Sequence, residues 1–358
     1  MTRHGVRATL MLLGLACSPV VPGEGISSED EVLEEAARKR DAGGGADMRP
    51  PDGGRDGGGD GGTDADAIRV ADESALNPKA AKLKITMVDV GQGDALLIRF
   101  PSGKVMVVDG GPDTRTLSNY LTAQGITAID YAVLSHAHGD HYTGLTPTLA
   151  KLPKDCTARV FDPGYNRSDT TGYTNFRSAA GCHYQAVHIG ETLWLDPQVE
   201  VTVLSAHSSR YGSSDDSHGI NNTSAVVRLR YGRFSMLLEG DAEQAAEQST
   251  LMAERALLRS TVLKAGHHGS CTATATSYLG AIDPQYVLIS VGAGNSYGLP
   301  NCQTMRKLRA RRALRWARTD ENGTVTITSD GSAYAVGRER GAESIDTCPR
   351  DCASPSDF

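Results

Sequence analysis

The chain changes texture near residue 82. Beyond it, aliphatic and β-branched positions alternate with polar ones in short runs: Leu83 to Val90 (LKITMVDV), Ala95 to Phe100 (ALLIRF) and Lys104 to Gly110 (KVMVVDG). Gly91-Gln92-Gly93-Asp94 and Pro101-Ser102-Gly103 separate these runs. Period-two alternation bounded by such turns predicts consecutive strands. Further strands are predicted at 131–135, 199–205, 223–230, 234–238, 260–265, 285–290 and 323–328. Helices are predicted at 113–124, 143–151, 242–256, 273–280 and 303–314. Two runs of strands, each followed by helices, predict an α/β (α+β) fold. Two sheets pack face to face with helices outside, as a single domain over 82–338.

The preceding residues look different. Residues 41–66 hold ten Gly and seven Asp against two Arg, a net charge of −5 with almost nothing to bury. We read 18–81 as a Gly/Asp-rich linker. Residues 28–40 run from acidic to basic, as a helix dipole favours, but have few apolar side chains to dock and belong with the tether. The linker accounts for most of the chain's net −7, so the acidity carries no message about substrate. Residues 1–17 (MTRHGVRATLMLLGLAC) join two Arg, an apolar run and a small residue before Cys17. This is the layout of an export signal, too short for a membrane span, and it resembles a bacterial lipoprotein signal. A lipid on Cys17 would be the chain's one membrane attachment; cleavage near Pro22 would release it instead. No apolar stretch is long enough for a polytopic membrane protein. Export implies an oxidising compartment. With Cys17 set aside, pairing of sequence neighbours predicts disulfides 156–182, 271–302 and 348–352, the last in a short tail, 339–358.

Candidate chemistry is concentrated at strand ends. Ser135-His136-Ala137-His138-Gly139-Asp140-His141 follows a predicted strand and crowds four metal-binding side chains into six positions. Packing does not require such crowding, whereas His and carboxylate are zinc ligands. His136 and His138 can face one ion while Asp140 and His141 turn to a second. Glu239-Gly240-Asp241 ends an apolar strand, where a buried Asp is costly unless paired or coordinated. Lys264 to Ser270 (KAGHHGS) places two histidines after another strand. We read Asp241 as the carboxylate shared by both ions and His267 as a ligand of the second. The competing readings are a helix cap for Asp241 and surface histidines for His267 and His268.

These motifs resemble the metallo-β-lactamase fold, and within it the soluble domain of the competence protein ComEC and its exported relatives. The resemblance rests on Asp89 to Asp94 (DVGQGD), Val108 to Gly111, the His136–His141 cluster, Asn221 to Ser224, Gly240-Asp241 and Lys264 to Ser270. Ser290 to Gly292 and Asn295 to Gly298 follow in the same order. It implies a four-layer αββα sandwich with a dinuclear metal site at one edge. It also implies hydrolysis, with phosphodiesters, including DNA or RNA, as the leading substrates and a small ester such as a phosphorylcholine diester also open. Two divalent ions are implied: the histidines favour zinc, and the carboxylates also suit manganese. The chain departs from the family pattern twice. Asn221 and Asn222 stand where many members of the fold carry a third histidine for the first ion, with His218 a nearby substitute. Leu299 replaces the histidine of the family's Gly-His-Pro.

On this reading the site activates water for attack on phosphorus. Asp140 takes up the nucleophile's proton, and His268 protonates the leaving oxygen or supports the ligands. Asp109 bonds the ligand loop or simply forms the turn before Gly110. Asn222 and Lys264 face substrate or serve the structure. Residues 306–318 (RKLRARRALRWAR) place seven bases in thirteen positions. They read either as the solvated face of an amphipathic helix, with Leu308, Ala310 and Leu314 inward, or as a track for a nucleic-acid backbone. Two other functions compete: a hydrolase of thioester, lactone or amide substrates, and a non-catalytic envelope module that only binds metal.

Overall fold

Strand pairing resolves the predicted runs into two mixed sheets. The structure, a computed structural model, describes residues 68–157, 159–167, 170–207 and 217–341. The export signal, Cys17, most of the linker and the 348–352 cysteine pair lie outside the described residues.

In chain order the strands are β1 (Arg69–Val70), β2 (Leu83–Met87), β3 (Leu96–Arg99), β4 (Val105–Val108), β5 (Tyr131–Val133), β6 (Val160–Asp162) and β7 (Tyr184–Ala186). There follow β8 (Thr192–Leu193), β9 (Val199–Ser205), β10 (Val226–Tyr231), β11 (Phe234–Leu238), β12 (Val262–Lys264), β13 (Tyr286–Ile289) and β14 (Arg315–Arg318). Finally come β15 (Val325–Ser329) and β16 (Ala333–Arg338). The first sheet has the order β1-β16-β15-β2-β3-β4-β5-β6-β7, the second β14-β13-β12-β11-β10-β9-β8.

Alternation decides which side chains meet. Leu83, Ile85 and Met87 of β2 point inward, with exposed Lys84 and buried Thr86 on the opposite face, and they face Val199, Val201 and Val203 of β9 across one buried cluster. A second cluster fills the space between the first sheet and the helices Thr116–Ala123, Gly139–Thr148 and Thr171–Ala180. A third lies under Thr276–Ile282 and Cys302–Arg309, on the outer face of the second sheet. Each fully buried aliphatic or aromatic side chain contributes about 1.5–3 kcal/mol of transfer free energy. The result is the αββα sandwich that the sequence predicts.

Several expectations shift. β1 pairs in parallel with β16, so the first sheet begins inside the segment that composition assigns to the linker. The helix expected at 143–151 starts at Gly139, which puts Asp140 and His141 in its first turn. The helix expected over 242–256 is broken into Gln244–Ala246, a π turn at Glu247–Leu251 and Arg255–Leu258. There the Glu247 carboxylate accepts the Thr274 and Ala275 N–H groups, holding this segment to a neighbouring loop. The basic run does not form one helix. It is helical to Arg309, turns, and becomes edge strand β14; Leu308 and Leu314 are buried, but Ala310 is exposed because the helix has ended. Cys156 and Cys182 form the expected disulfide. The expected 271–302 pair does not form: Cys271 is a free thiol, because the Cys302 sulfur is committed to a different disulfide.

β4, β5 and β6 run parallel, as do β11 to β14. Their C-terminal ends emerge at one edge of the sandwich, where the candidate site lies. Close backbone contact sets the position of its helix. A Cβ on Gly144 would lie 2.0 Å from the Gly110 carbonyl oxygen, and one on Gly110 would lie 1.8 Å from Leu145 N. Only glycine lets the Gly139–Thr148 helix sit this close to the β4 loop.

Candidate metal centre

Five strand ends supply the site. The loop after β4 gives Asp109, the loop and helix start after β5 give His136, His138, Asp140 and His141, and the β11 loop gives Asp241. His267 and His268 follow β12, and Ser290 follows β13. Three of these residues sit in left-handed backbone conformations that non-glycine residues rarely adopt: Asp109 (φ 57°), His267 (φ 44°) and His268 (φ 53°). Strain of this kind, of order 1–3 kcal/mol each, concentrates at sites where a side chain must be aimed.

The side chains converge on Asp241. Its Oδ2 lies 3.3 Å from His268 Nε2, 3.4 Å from His141 Nε2, 3.8 Å from His136 Nε2 and 4.0 Å from His267 Nε2. Asp140 Oδ2 is 3.4 Å from His268 Nε2 and 3.9 Å from His141 Nε2. His136 Nε2 and His138 Nδ1 are 2.9 Å apart.

Partners on the far side of the rings fix what points inward. His141 Nδ1 lies 2.9 Å from Asp109 Oδ2, an atom that can only accept, so Nδ1 carries the proton. His268 Nδ1 likewise donates to the Ser290 carbonyl at 3.0 Å, with Asp94 Oδ1 at 3.3 Å. Each ring therefore turns its Nε2 toward carboxylate oxygens, where the atom needs a proton or a metal ion to meet them. His141 Nε2, His268 Nε2 and Asp241 Oδ1 are all buried and without a hydrogen-bond partner. Such an arrangement calls for a cation between the atoms. His136, His141 and Asp241 form one group of possible ligands whose atoms lie within 4.8 Å of one another, and Asp140, His141 and His268 form another. The residues fit a divalent metal.

Electrostatics agree. Burial opposes charge on His141, but Asp241, Asp109 and Asp140 outweigh it and hold the imidazole pKa well above its ordinary value. His268 behaves the same way beside Asp241 and Asp94. His136 has less anionic company, and burial drives its pKa well down. Burial also opposes charge on Asp140 and Asp241, yet neighbouring histidines keep both carboxyls below the usual range.

The two adjacent histidines stand differently from the sequence expectation. His268, expected as a proton donor or support, is fully buried with its Nε2 among the carboxylates. His267, expected as a ligand, keeps a quarter of its side chain exposed and directs Nδ1 to Glu243 Oε1 at 2.9 Å. Successive left-handed residues turn the two rings apart, with centroids 6.0 Å from each other.

Asp109 bonds the ligand loop as expected, accepting Ser135 N–H at 2.7 Å. Lys264 and Asn222 do not face the cavity. Lys264 is fully buried beneath the site, ion-paired with Asp94 and donating to the Gly240 carbonyl at 2.9 Å. The amide of Asn222 is used inside the fold. Its Oδ1 accepts Glu243 N and Ala246 N, and its Nδ2 donates to the His218 carbonyl.

Asn221 and His218, at the position of the absent third histidine, both bond Glu243, at 2.8 and 2.7 Å. The sequence reasoning missed Glu243 and the supporting role of Asp94. Glu243 lies two residues after Asp241, in a stretch read as helix, and only folding shows that it gathers His218, Asn221 and His267.

A cavity of about 220 Å³ opens beside these atoms, lined by Gln92, His138, Asp140, His268, Tyr297 and Leu299 among others.

A two-sheet sandwich with this cluster at its strand ends defines a class, and the chain belongs to it: the metallo-beta-lactamase superfamily model matches residues 88–292. Within that class the chain is similar to the ComEC-type proteins. It is 30% identical over 263 residues to ComE operon protein 3 of Bacillus subtilis, covering 68% of this chain and 32% of the relative. It is 29% identical over 232 residues to Recombination protein 2 of Haemophilus influenzae, covering 63% and 26%. The chain thus spans about a third of the length of these curated relatives. Among solved structures, the metallo-beta-lactamase-fold protein YhfI of Bacillus subtilis aligns over 69% of this chain and 99% of its own, at 12% identity and a TM-score of 0.44. Among the described residues, no helix is long and apolar enough to cross a membrane.

Proposed function

We propose that this protein is a metal-dependent phosphodiesterase, carried by one observation: the Nε2 atoms of His141 and His268 converge with the Asp241 and Asp140 carboxylates at the mouth of a small cavity. His136, His138, Asp140, His141, Asp241 and His268 would hold two divalent ions, with zinc favoured by the histidines and manganese compatible. Bound ions supply Lewis acidity toward a phosphoryl oxygen and make a water acidic near neutral pH. Asp140, a third exposed while the other site carboxylates are buried, takes the proton of the attacking water. His267, its Nδ1 fixed on Glu243, presents Nε2 toward Asp241 and the cavity and donates to the leaving oxygen. His268 serves as ligand, exchanging the roles that sequence alone suggests for the pair.

Phosphodiesters suit the cavity because cations held by these residues would meet an anionic group there. The names of the relatives, which speak of competence and recombination, favour a nucleic-acid substrate. A second reading is favoured by Leu299, whose apolar side chain lines the cavity where the family carries histidine: a thioester, lactone or amide as substrate. A lipid on Cys17 would hold the enzyme at the cell envelope.

The test uses the full chain, its metal content measured, with a chromogenic phosphodiester beside thioester and lactone substrates. Turnover of the phosphodiester, abolished in Asp241→Asn, is expected. His268→Asn should lose metal and activity together, while His267→Asn should keep metal and lose rate. Acyl hydrolysis alone, from a protein holding two ions, would overturn the assignment.

A further inference from the structure

The end of the second sheet opposite the metal centre carries a concentration of positive charge. Arg233 precedes β11 and Arg259 precedes β12, Arg311 and Arg312 form the turn before β14, and Arg228 lies on β10. Together they line one groove of about 870 Å³, within the range that encloses small ligands. Among the described residues one carboxylate, Asp283, shares the groove. Arg311 Nη2 lies 2.9 Å and Arg259 Nη2 3.5 Å from it, so its charge is already engaged by two of the five guanidiniums.

Arg228 is held in place through Nε and Nη2, both donating to the Arg259 carbonyl at 3.3 and 3.1 Å. Arg312 is exposed. Among the described residues lining the groove, five guanidiniums stand against one carboxylate. The chain as a whole is net negative, so this is a local concentration rather than a general basicity.

We propose that this groove is a second ligand site, taking a compact molecule with several closely spaced phosphate groups. Guanidinium forks bind phosphate oxygens in bidentate pairs, which suits clustered arginines to clustered phosphates. A long nucleic-acid backbone fits less well, because folding breaks up the basic run from which a continuous track would come. Of the seven bases in residues 306–318 only Arg311 and Arg312 line the groove, while Arg318 is buried against Asp320 at the other end of β14. The site is separate from the catalytic one. β11 runs five residues from the groove to the Asp241 loop, about 17 Å at the rise of an extended strand.

Tripolyphosphate is the probe, titrated calorimetrically into the full chain and into Asp241→Asn, in which phosphate capture by the metal centre is disabled. One tripolyphosphate should bind the groove in both proteins, more tightly than orthophosphate and less tightly as salt rises. Arg311→Gln combined with Arg312→Gln should weaken it at least tenfold in the Asp241→Asn background. Arg312→Gln alone, at an exposed position that does not threaten folding, should weaken it measurably. Unchanged affinity in the arginine variants would overturn the proposal, as would equal affinity for orthophosphate. A single-stranded oligonucleotide or anionic phospholipid vesicles displacing tripolyphosphate at lower phosphate concentration would also overturn it, in favour of a polymer or membrane surface.

Discussion

Replacing Asp109 by Asn isolates one link between fold and metal centre. Asp109 is 1% exposed and lies at φ 57°, a conformation that Asn tolerates better than most residues, so the backbone should stay in place. The Asn Oδ1 can still accept Ser135 N–H, now bonded at 2.7 Å. The change falls on the other contact, where a carboxylate oxygen stands 2.9 Å from His141 Nδ1. An amide NH₂ there donates, so the imidazole must accept at Nδ1 and carry its proton on Nε2. That is the atom facing Asp241 at 3.4 Å, and a protonated nitrogen cannot ligate. Loss of such support costs about ten- to a hundredfold in metal affinity, or roughly 1.4–2.8 kcal/mol at about 1.4 kcal/mol per decade. The assay is competition for zinc against a chromogenic chelator, with thermal unfolding of the metal-free proteins as control. Binding within about twofold of the unmutated chain, far inside the expected loss, would refute the tautomer reasoning.

Three further perturbations test the frame. Cys156→Ser opens a disulfide between residues 26 apart and should destabilise the domain by about 3 kcal/mol on the chain-entropy account; a denaturation midpoint equal to that of the unmutated protein would contradict it. Gly144→Ala drives a methyl to 2.0 Å from the Gly110 carbonyl and should cost about 1–3 kcal/mol or more. Metal affinity should fall with it, since Asp140 and His141 ride on the same helix. Burial pushes the Glu247 carboxyl up to about 7 from 4.5. The folded chain therefore holds a proton that the unfolded chain releases, and stability should fall as pH rises between those values. Glu247→Gln should flatten that slope in urea midpoints compared at pH 5 and pH 8; an unchanged slope would show that Glu247 titrates normally.

Much of the site was legible because its ligands come in short runs at strand ends. His136 to His141 could be read without a fold, since no packing scheme asks for four such side chains in six positions. Asp241 could be read because a carboxylate ending the apolar run Phe234 to Leu238 needs a partner. β9 and β11 were legible to the residue, their apolar positions being dense and bounded. β1, β6, β7, β8, β14 and β16 escaped because each is short or carries an unexceptional mixture, and partners distant in the chain create it as a strand. Arg315 to Arg318 looks like a helix face until β13 pairs with it.

Local pattern thus made legible the fold class and the metal-binding character of the His/Asp cluster, and pairing of sequence neighbours anticipated the Cys156–Cys182 bridge, all of which rest on residue type, spacing and order. Tertiary structure decided the rest. It set His268 closer to Asp241 than His267, at 3.3 against 4.0 Å, buried Lys264 under the site, and gathered five arginines from separate segments into one groove. The physical reason is that these choices depend on backbone conformation and on contacts across the fold. Two adjacent histidines are equivalent as letters, but successive left-handed residues and the fixed acceptors Ser290, Asp94 and Glu243 aim their rings in different directions.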